Sequence, residues 1–91
     1  GVVAFNDQLA IGGRSALAAY GISGPGQGLA IGFDYSEEAA YLQPPLTTMD
    51  SRFDAIVPAV SARMLMRIAG RNIEPELMRI PSRVIARSTT R

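Results

Sequence analysis

The chain has 91 residues, 47% of them apolar and 19% charged, which fits one ordinary globular domain and not a disordered segment. It contains no cysteine, histidine or lysine, which excludes disulfide frameworks, thiolate metal sites, cysteine nucleophiles, histidine bases, phosphate-loop lysines and Schiff-base chemistry. The net charge of +1 conceals an imbalance, because residues 1–51 carry one arginine against five acids (net −4) and residues 52–91 carry eight arginines against three acids (net +5).

Val2 to Phe5 reads as a short buried strand. A helix over 7–20 follows, with Asp7 as its cap and Gly21 as its left-handed stop. Gly12 and Gly13 each cost such a helix up to ~1 kcal/mol relative to alanine. Their presence predicts something close against that face, backbone or ligand. Residues 21–28, GISGPGQG, form a loop. Leu29 to Phe33 is apolar on both alternating sides, the pattern of a strand covered by helices above and below. Strand, helix and strand within about 30 residues make a right-handed βαβ unit. In such a unit Asn6 and Asp34, each standing directly after an apolar run, emerge at one edge of a sheet. That edge is where open α/β sheets bind small molecules. Parallel strands lie ~4.8 Å apart, so neighbouring strands let both side chains reach one ligand.

Ser36 with Glu37 and Glu38 opens a short helix, its acids at the positive end of the dipole. Pro44-Pro45 ends it and imposes an extended entry into Leu46 to Met49. From Asp54 to Ala69, Ile56, Val60, Met64 and Ile68 form an apolar stripe at i+4 spacing on a longer helix. Gly70 stops it, Pro58 lies near its start, and Arg63, Arg67 and Arg71 share its polar side. Leu77 to Arg87 reads as two extended pieces around Pro81, with Val84-Ile85-Ala86 the clearer strand.

Several motifs invite other chemistry and do not carry it. The glycines of 21–28 follow a helix and lack the order of a dinucleotide loop. GRSAL at 13–17 lacks the final glycine of a nucleophile elbow, and no histidine can serve as its base. Glu37 and Glu38 are sequence neighbours, so their side chains diverge on a helix and make no acid/base pair. Three arginines on one helix face read as a solvated surface. No metal site and no cofactor is expected, and the chain reads as a non-enzyme. Physical chemistry alone leaves Asn6 and Asp34 open between two roles, helix caps after strands or ligand groups. No apolar run approaches the ~18 residues of a membrane span. The first residues lack a signal-peptide pattern. A cytoplasmic protein without membrane contact is therefore expected.

The ordered set FNDQLAIG (5–12), GFDYS (32–36), PPLTT (44–48), the helix ending in Gly70 and the closing IPSRVIARST resembles the lactose-repressor (LacI/GalR) family of bacterial transcription regulators over essentially all 91 residues. The resemblance implies an α/β fold of the periplasmic-binding-protein (type I) kind, a Rossmann-like parallel sheet flanked by helices. Residues 1–91 would be the C-terminal part of the effector-binding domain, with the helix-turn-helix DNA reader absent from this chain. Carried over by position, Asn6 and Asp34 match the residues that hydrogen-bond a small-molecule effector, a sugar or a nucleobase. Asp7 matches a helix-capping position. Tyr35, Tyr41 and Leu42, with the face of helix 7–20, match dimerisation surface. The resemblance places residues 1 to about 49 in one lobe and the helix near 54–70 in the other, with the last strand returning. It implies a homodimer that reaches DNA through the missing N-terminal domain. Exposed strand edges and apolar helix faces predict self-association of these 91 residues. A fragment of an extracytoplasmic sugar-binding protein of a transporter is the alternative, and PPLTT with ARST favours the regulator. The chain departs from the family pattern at Gln27, Gly28, Tyr35, Val57 and Pro58.

Overall fold

The computed structural model describes residues 1–23, 26 and 28–90. Pro25 and Gln27, on which part of the loop reading rests, lie outside the described residues. The elements in order are β1 (Val2–Val3), α1 (Asp7–Ala19), β2 (Ala30–Phe33), α2 (Glu38–Tyr41), β3 (Thr47–Asp50), α3 (Phe53–Ile68) and β4 (Arg83–Ile85), with a 3-10 turn at Ser88–Thr90. They fall into two compact units: Gly1–Ser51 together with the segment from Arg83 onward, and Arg52–Ser82.

The first unit is built on a four-stranded sheet in the order β1-β2-β3-β4. β1 pairs with β2 and β2 with β3 in parallel, as a βαβ connection requires. β4 pairs with β3 antiparallel, so the expected parallel sheet is in fact mixed. The reason lies in the pairing of Asp50 with Arg83. The chain leaves the sheet at the C-terminal end of β3 and re-enters at that same end, so its last strand must run backwards.

The core of this unit is made of small residues. Ala10, Ala30, Ala39 and Leu46 are fully buried, with Ala4 and Leu42 packed against them. Small side chains let α1 approach β2 closely, and Gly32 shows how closely, because a Cβ there would collide with the Asp7 carboxylate. A glycine inside a strand often marks such an approach. Val2, on the same side of the sheet as Ala4, is itself 42% exposed. Val3 and Phe5 point the other way and are 82% and 93% exposed, so the expectation of a fully buried first strand fails. Phe33 is also exposed on that side, and β2 is not covered above and below as its apolar run suggested. Gly12 and Gly13 have nothing within 4 Å of where a Cβ would stand, so the close neighbour expected there is not part of this chain's described residues.

Helix punctuation follows local chemistry. Gly21 (φ 78°) follows α1, with its N–H donating to Ala18 O and that of Ile22 to Leu17 O. Gly70 (φ 79°) follows α3 in the same way, with Gly70 N donating to Arg67 O and Arg71 N to Met66 O. Both are Schellman stops, and both glycines were legible as such. The cap of α1 is a correction. Asn6, not Asp7, is the N-cap, its Oδ1 accepting from Leu9 N at 2.8 Å. Asp7 lies inside the first turn with its carboxylate aimed at the sheet. The short helix α2 begins at Glu38, after Ser36 and Glu37, and has no side-chain cap bond.

PPLTT and the closing ARSTT hold one another. Thr47 N donates to Thr89 Oγ1 (2.8 Å), which donates in turn to Ala30 O (2.8 Å). Thr47 Oγ1 accepts from Arg87 N (2.7 Å), and Arg87 Nη1 donates to Leu46 O (2.9 Å). Thr47, Thr48 and Thr89 are buried, and each hydroxyl is bonded, as buried polar groups must be.

In the second unit α3 starts after Arg52, which is left-handed (φ 63°), and carries Pro58 in its second turn. No residue of α3 is buried, and of the expected stripe Val60, Met64 and Ile68 are exposed. The following segment runs back along the helix. Arg63 pairs with Glu76 (2.9 Å) and donates to Glu74 O (2.9 Å), so it is a staple and not merely a solvated charge. The extended piece expected before Pro81 forms no strand.

Candidate functional site

The sheet register brings four polar residues into one row. Val2 faces Ala30 and Val3 faces Ile31, so β1 and β2 leave the sheet at the same end, β1 toward Asn6 and β2 toward Asp34. Phe33 faces Met49, which places Asp34 beside Asp50, and Asp50 is paired with Arg83. Asn6 follows β1, Asp34 follows β2, Asp50 ends β3 and Arg83 begins β4, so all four belong to the same edge of the sheet. Neighbouring strands lie ~4.8 Å apart, so the row offers hydrogen-bonding groups over a span of roughly 14 Å.

Each member is in a different electrostatic state. Asn6 is half-buried and spends its carbonyl oxygen on the α1 cap, and its amide nitrogen has no partner among the described residues. Asp34 is exposed, and its carboxylate makes no hydrogen bond among the described residues. Asp50 is buried and its Oδ2 accepts from Arg83 Nε at 2.8 Å, while the Arg83 side chain is 55% exposed. The outer pair thus neutralises itself and leaves Asp34 as the open charge of the row.

Asp34 owes its position to an unusual backbone. Asp34 (φ 108°) and Tyr35 (φ 59°) are consecutive non-glycine residues at positive φ. Sparsely populated conformations of this kind cost about 1–3 kcal/mol each and persist only where the surroundings over-determine them. Here they do. Asp34 N donates to Met49 O at 3.0 Å. Tyr35 N donates to Thr48 Oγ1 at 3.2 Å. Ser36 N donates to Asp7 Oδ2 at 2.8 Å, and Thr48 Oγ1 donates to Asp7 Oδ1 at 2.6 Å. Asp7 is 1% exposed, so this is a buried carboxylate bonded through both oxygens. On the outside, Arg87 lies 5.6 Å over the Tyr35 ring.

The residues expected at a dimer surface line two depressions. Leu42 lines a groove of about 170 Å³ with Ile11, Arg14, Leu17 and Ile22. Arg14 closes its side by donating to Pro44 O (2.7 Å) and Gln43 O (3.1 Å). Tyr35 and Tyr41 line a separate depression with Ser36, Glu37, Ala40 and Arg87. Neither depression takes in Asn6 or Asp34. No group of three or more Asp, Glu, His or Cys among the described residues is placed to hold a metal ion.

Sequence reasoning missed Thr48, Gly32 and the Asp50–Arg83 pair. Two of them left a signal. A hydroxyl in the middle of a buried strand needs a partner, and a lone glycine in an apolar strand announces a close neighbour. The Asp50–Arg83 pair had none, because it depends on a strand direction that local pattern does not encode.

Residues 1–90 match the family model of the periplasmic binding protein-like domain. The lactose operon repressor of Klebsiella pneumoniae is 33% identical over 88 residues, which is 97% of this chain and 25% of that protein. The chain thus spans about a quarter of the length of that relative. Among solved structures, a periplasmic binding protein/LacI transcriptional regulator from Alkaliphilus metalliredigens, in complex with D-xylulofuranose, superposes with a TM-score of 0.89 at 30% identity, over 98% of this chain and 34% of that one. The Lac repressor dimer bound to operator and the anti-inducer ONPF superposes with a TM-score of 0.80 at 25% identity, over 96% of this chain and 30% of that one. No helix of the described residues is long and apolar enough to cross a membrane.

Proposed function

The chain belongs to the family of periplasmic binding protein-like domains, in its LacI/GalR line of transcription regulators, and on that premise we propose that it forms one wall of a small-molecule effector site. The observation that carries this reading is that Asn6 and Asp34 follow two adjacent parallel strands at the same edge of the sheet, each with a polar group uncommitted among the described residues. An ionised carboxylate accepts two hydroxyl donors at once and an amide N–H₂ donates, a combination suited to vicinal hydroxyls. A sugar is the first class of effector, and a nucleobase-like ring with N–H donors is the second. The sugar-bound relative supports the first choice.

In this reading the effector does its work by binding and not by turnover. It shifts a cytoplasmic regulator between two arrangements, and its differential affinity for them sets the coupling to DNA held by an N-terminal reader. A coupling of ~1–3 kcal/mol is typical of such linkage. Self-association uses the α1 face with Leu42, where Gly12 and Gly13 stand open. The test is Asp34→Ala in the full gene product that carries this chain. Effector-dependent release from, or recruitment to, operator DNA is expected to disappear while effector-free DNA affinity stays at the wild-type level. An unchanged response would remove Asp34 from the site.

A further inference from the structure

We propose that Asp7 and Thr48 are positioning residues for Asp34, setting effector affinity without touching the effector. The inference rests on the reading of Asp34 as an effector ligand. It goes further by assigning a task to a buried carboxylate and a buried hydroxyl that the binding chemistry itself does not use.

The geometry is a bracket. Asp7 enters from the first turn of α1 and holds Ser36 N with one oxygen and the Thr48 hydroxyl with the other. Thr48 spends its donor on Asp7 and its lone pair on Tyr35 N. The two amides following Asp34 are therefore both tied down, and Asp34's own amide is tied to Met49 O. Three successive N–H groups fix a turn containing two positive-φ residues. Without those bonds nothing in the sequence favours that turn, because an aspartate and a tyrosine relax to negative φ. Relaxation would re-aim the Asp34 carboxylate at the sheet edge. Gly32 completes the device, since its missing Cβ leaves the space that Asp7 occupies.

A second buried threonine provides a control for mere structural loss. Thr89 is as buried as Thr48 and equally bonded, but its partners are Thr47 N and Ala30 O, outside the 34–36 turn. The experiment compares Thr48→Val, Asp7→Asn and Thr89→Val in the full gene product, with Asp34→Ala as reference. Two readouts are used: hydrogen exchange of the Tyr35 and Ser36 amides without additives, and thermal shift with D-xylulose and a panel of aldopentoses, aldohexoses and free purines. Thr48→Val and Asp7→Asn are expected to speed exchange of those amides and to weaken the compound that stabilises wild type by about tenfold or more. Thr89→Val should leave its affinity within about twofold. Tyr35→Gly added to Thr48→Val should recover much of the loss, because glycine holds positive φ without the bracket. Equal losses in Thr48→Val and Thr89→Val, or no rescue by glycine, overturn the inference. So does loss in Asp34→Ala alone, which leaves the site reading standing. If Asp34→Ala itself binds like wild type, the site reading fails and this inference fails with it.

Discussion

Asn6 carries two polar atoms on one side chain, one committed to the helix cap and one free among the described residues, and chemistry allows the two to be separated. Its oxygen caps α1 through Leu9 N, and its amide nitrogen is left to donate outward at the sheet edge. An aspartate at position 6 keeps the acceptor and suits the helix dipole, but it cannot donate. Asn6→Asp is therefore expected to leave thermal stability unchanged while weakening effector binding. Asn6→Ala loses both functions and costs about 1 kcal/mol of stability. Thermal unfolding beside a binding titration distinguishes the two, and equal effector affinity in wild type and Asn6→Asp would confine Asn6 to capping. Gly32 is constrained in a different way. An alanine there meets the Asp7 carboxylate, a buried group that cannot retreat without giving up Ser36 N and Thr48. Gly32→Ala should cost ~1–3 kcal/mol, the range for overpacking, and should show as a lowered melting temperature.

At the scale of elements, what was legible depended on whether the determining contacts were local. The stops of α1 and α3 were readable because a glycine just past a helical run needs only its own positive φ. The parallel pairing of β1 with β2 was readable too, because a short strand-helix-strand stretch favours a parallel neighbour. The choice of cap was not. Asn6 and Asp7 are equally good capping types, and the decision was made by Gly32 and Thr48, distant in sequence, which give Asp7 a better use. The direction of β4 and the fate of residues 71–82 were likewise set by long-range pairing. α1 also poses a question its own unit does not answer, since Gly12 and Gly13 weaken the helix and no described residue stands within 4 Å of where their Cβ atoms would be. If another copy packs there, Gly12→Ala or Gly13→Ala should stabilise the isolated helix by up to ~1 kcal/mol yet weaken association of the regulator. Sedimentation of the variants at several concentrations decides it, and unchanged association would mean the face is simply solvent-exposed.

For the whole molecule, the balance between what is buried and what is left out sets how the 91-residue chain behaves alone. Among the described residues the fully buried apolar side chains are three alanines and Leu46, which together remove little apolar surface from water. Val3, Phe5, Tyr41, Ile68 and Leu77 are each more than 70% exposed, and α3 buries no residue at all. β1 is an edge strand with its far face uncovered. A net charge of +1 gives the chain little repulsion to keep copies apart. Apolar surface and charge both favour association, but they differ in salt dependence. Contacts between the acidic 1–51 and basic 52–91 portions are screened as the Debye length falls to about 3 Å at 1 M salt. Apolar contacts are not. The chain is therefore expected to form dimers or larger species at micromolar concentration, and to keep them at 1 M sodium chloride. Light scattering at low and high salt reads this directly. A 9.7 kDa particle that unfolds cooperatively would show that this small core suffices by itself, whereas association that dissolves in salt would assign the contacts to the arginines and acids.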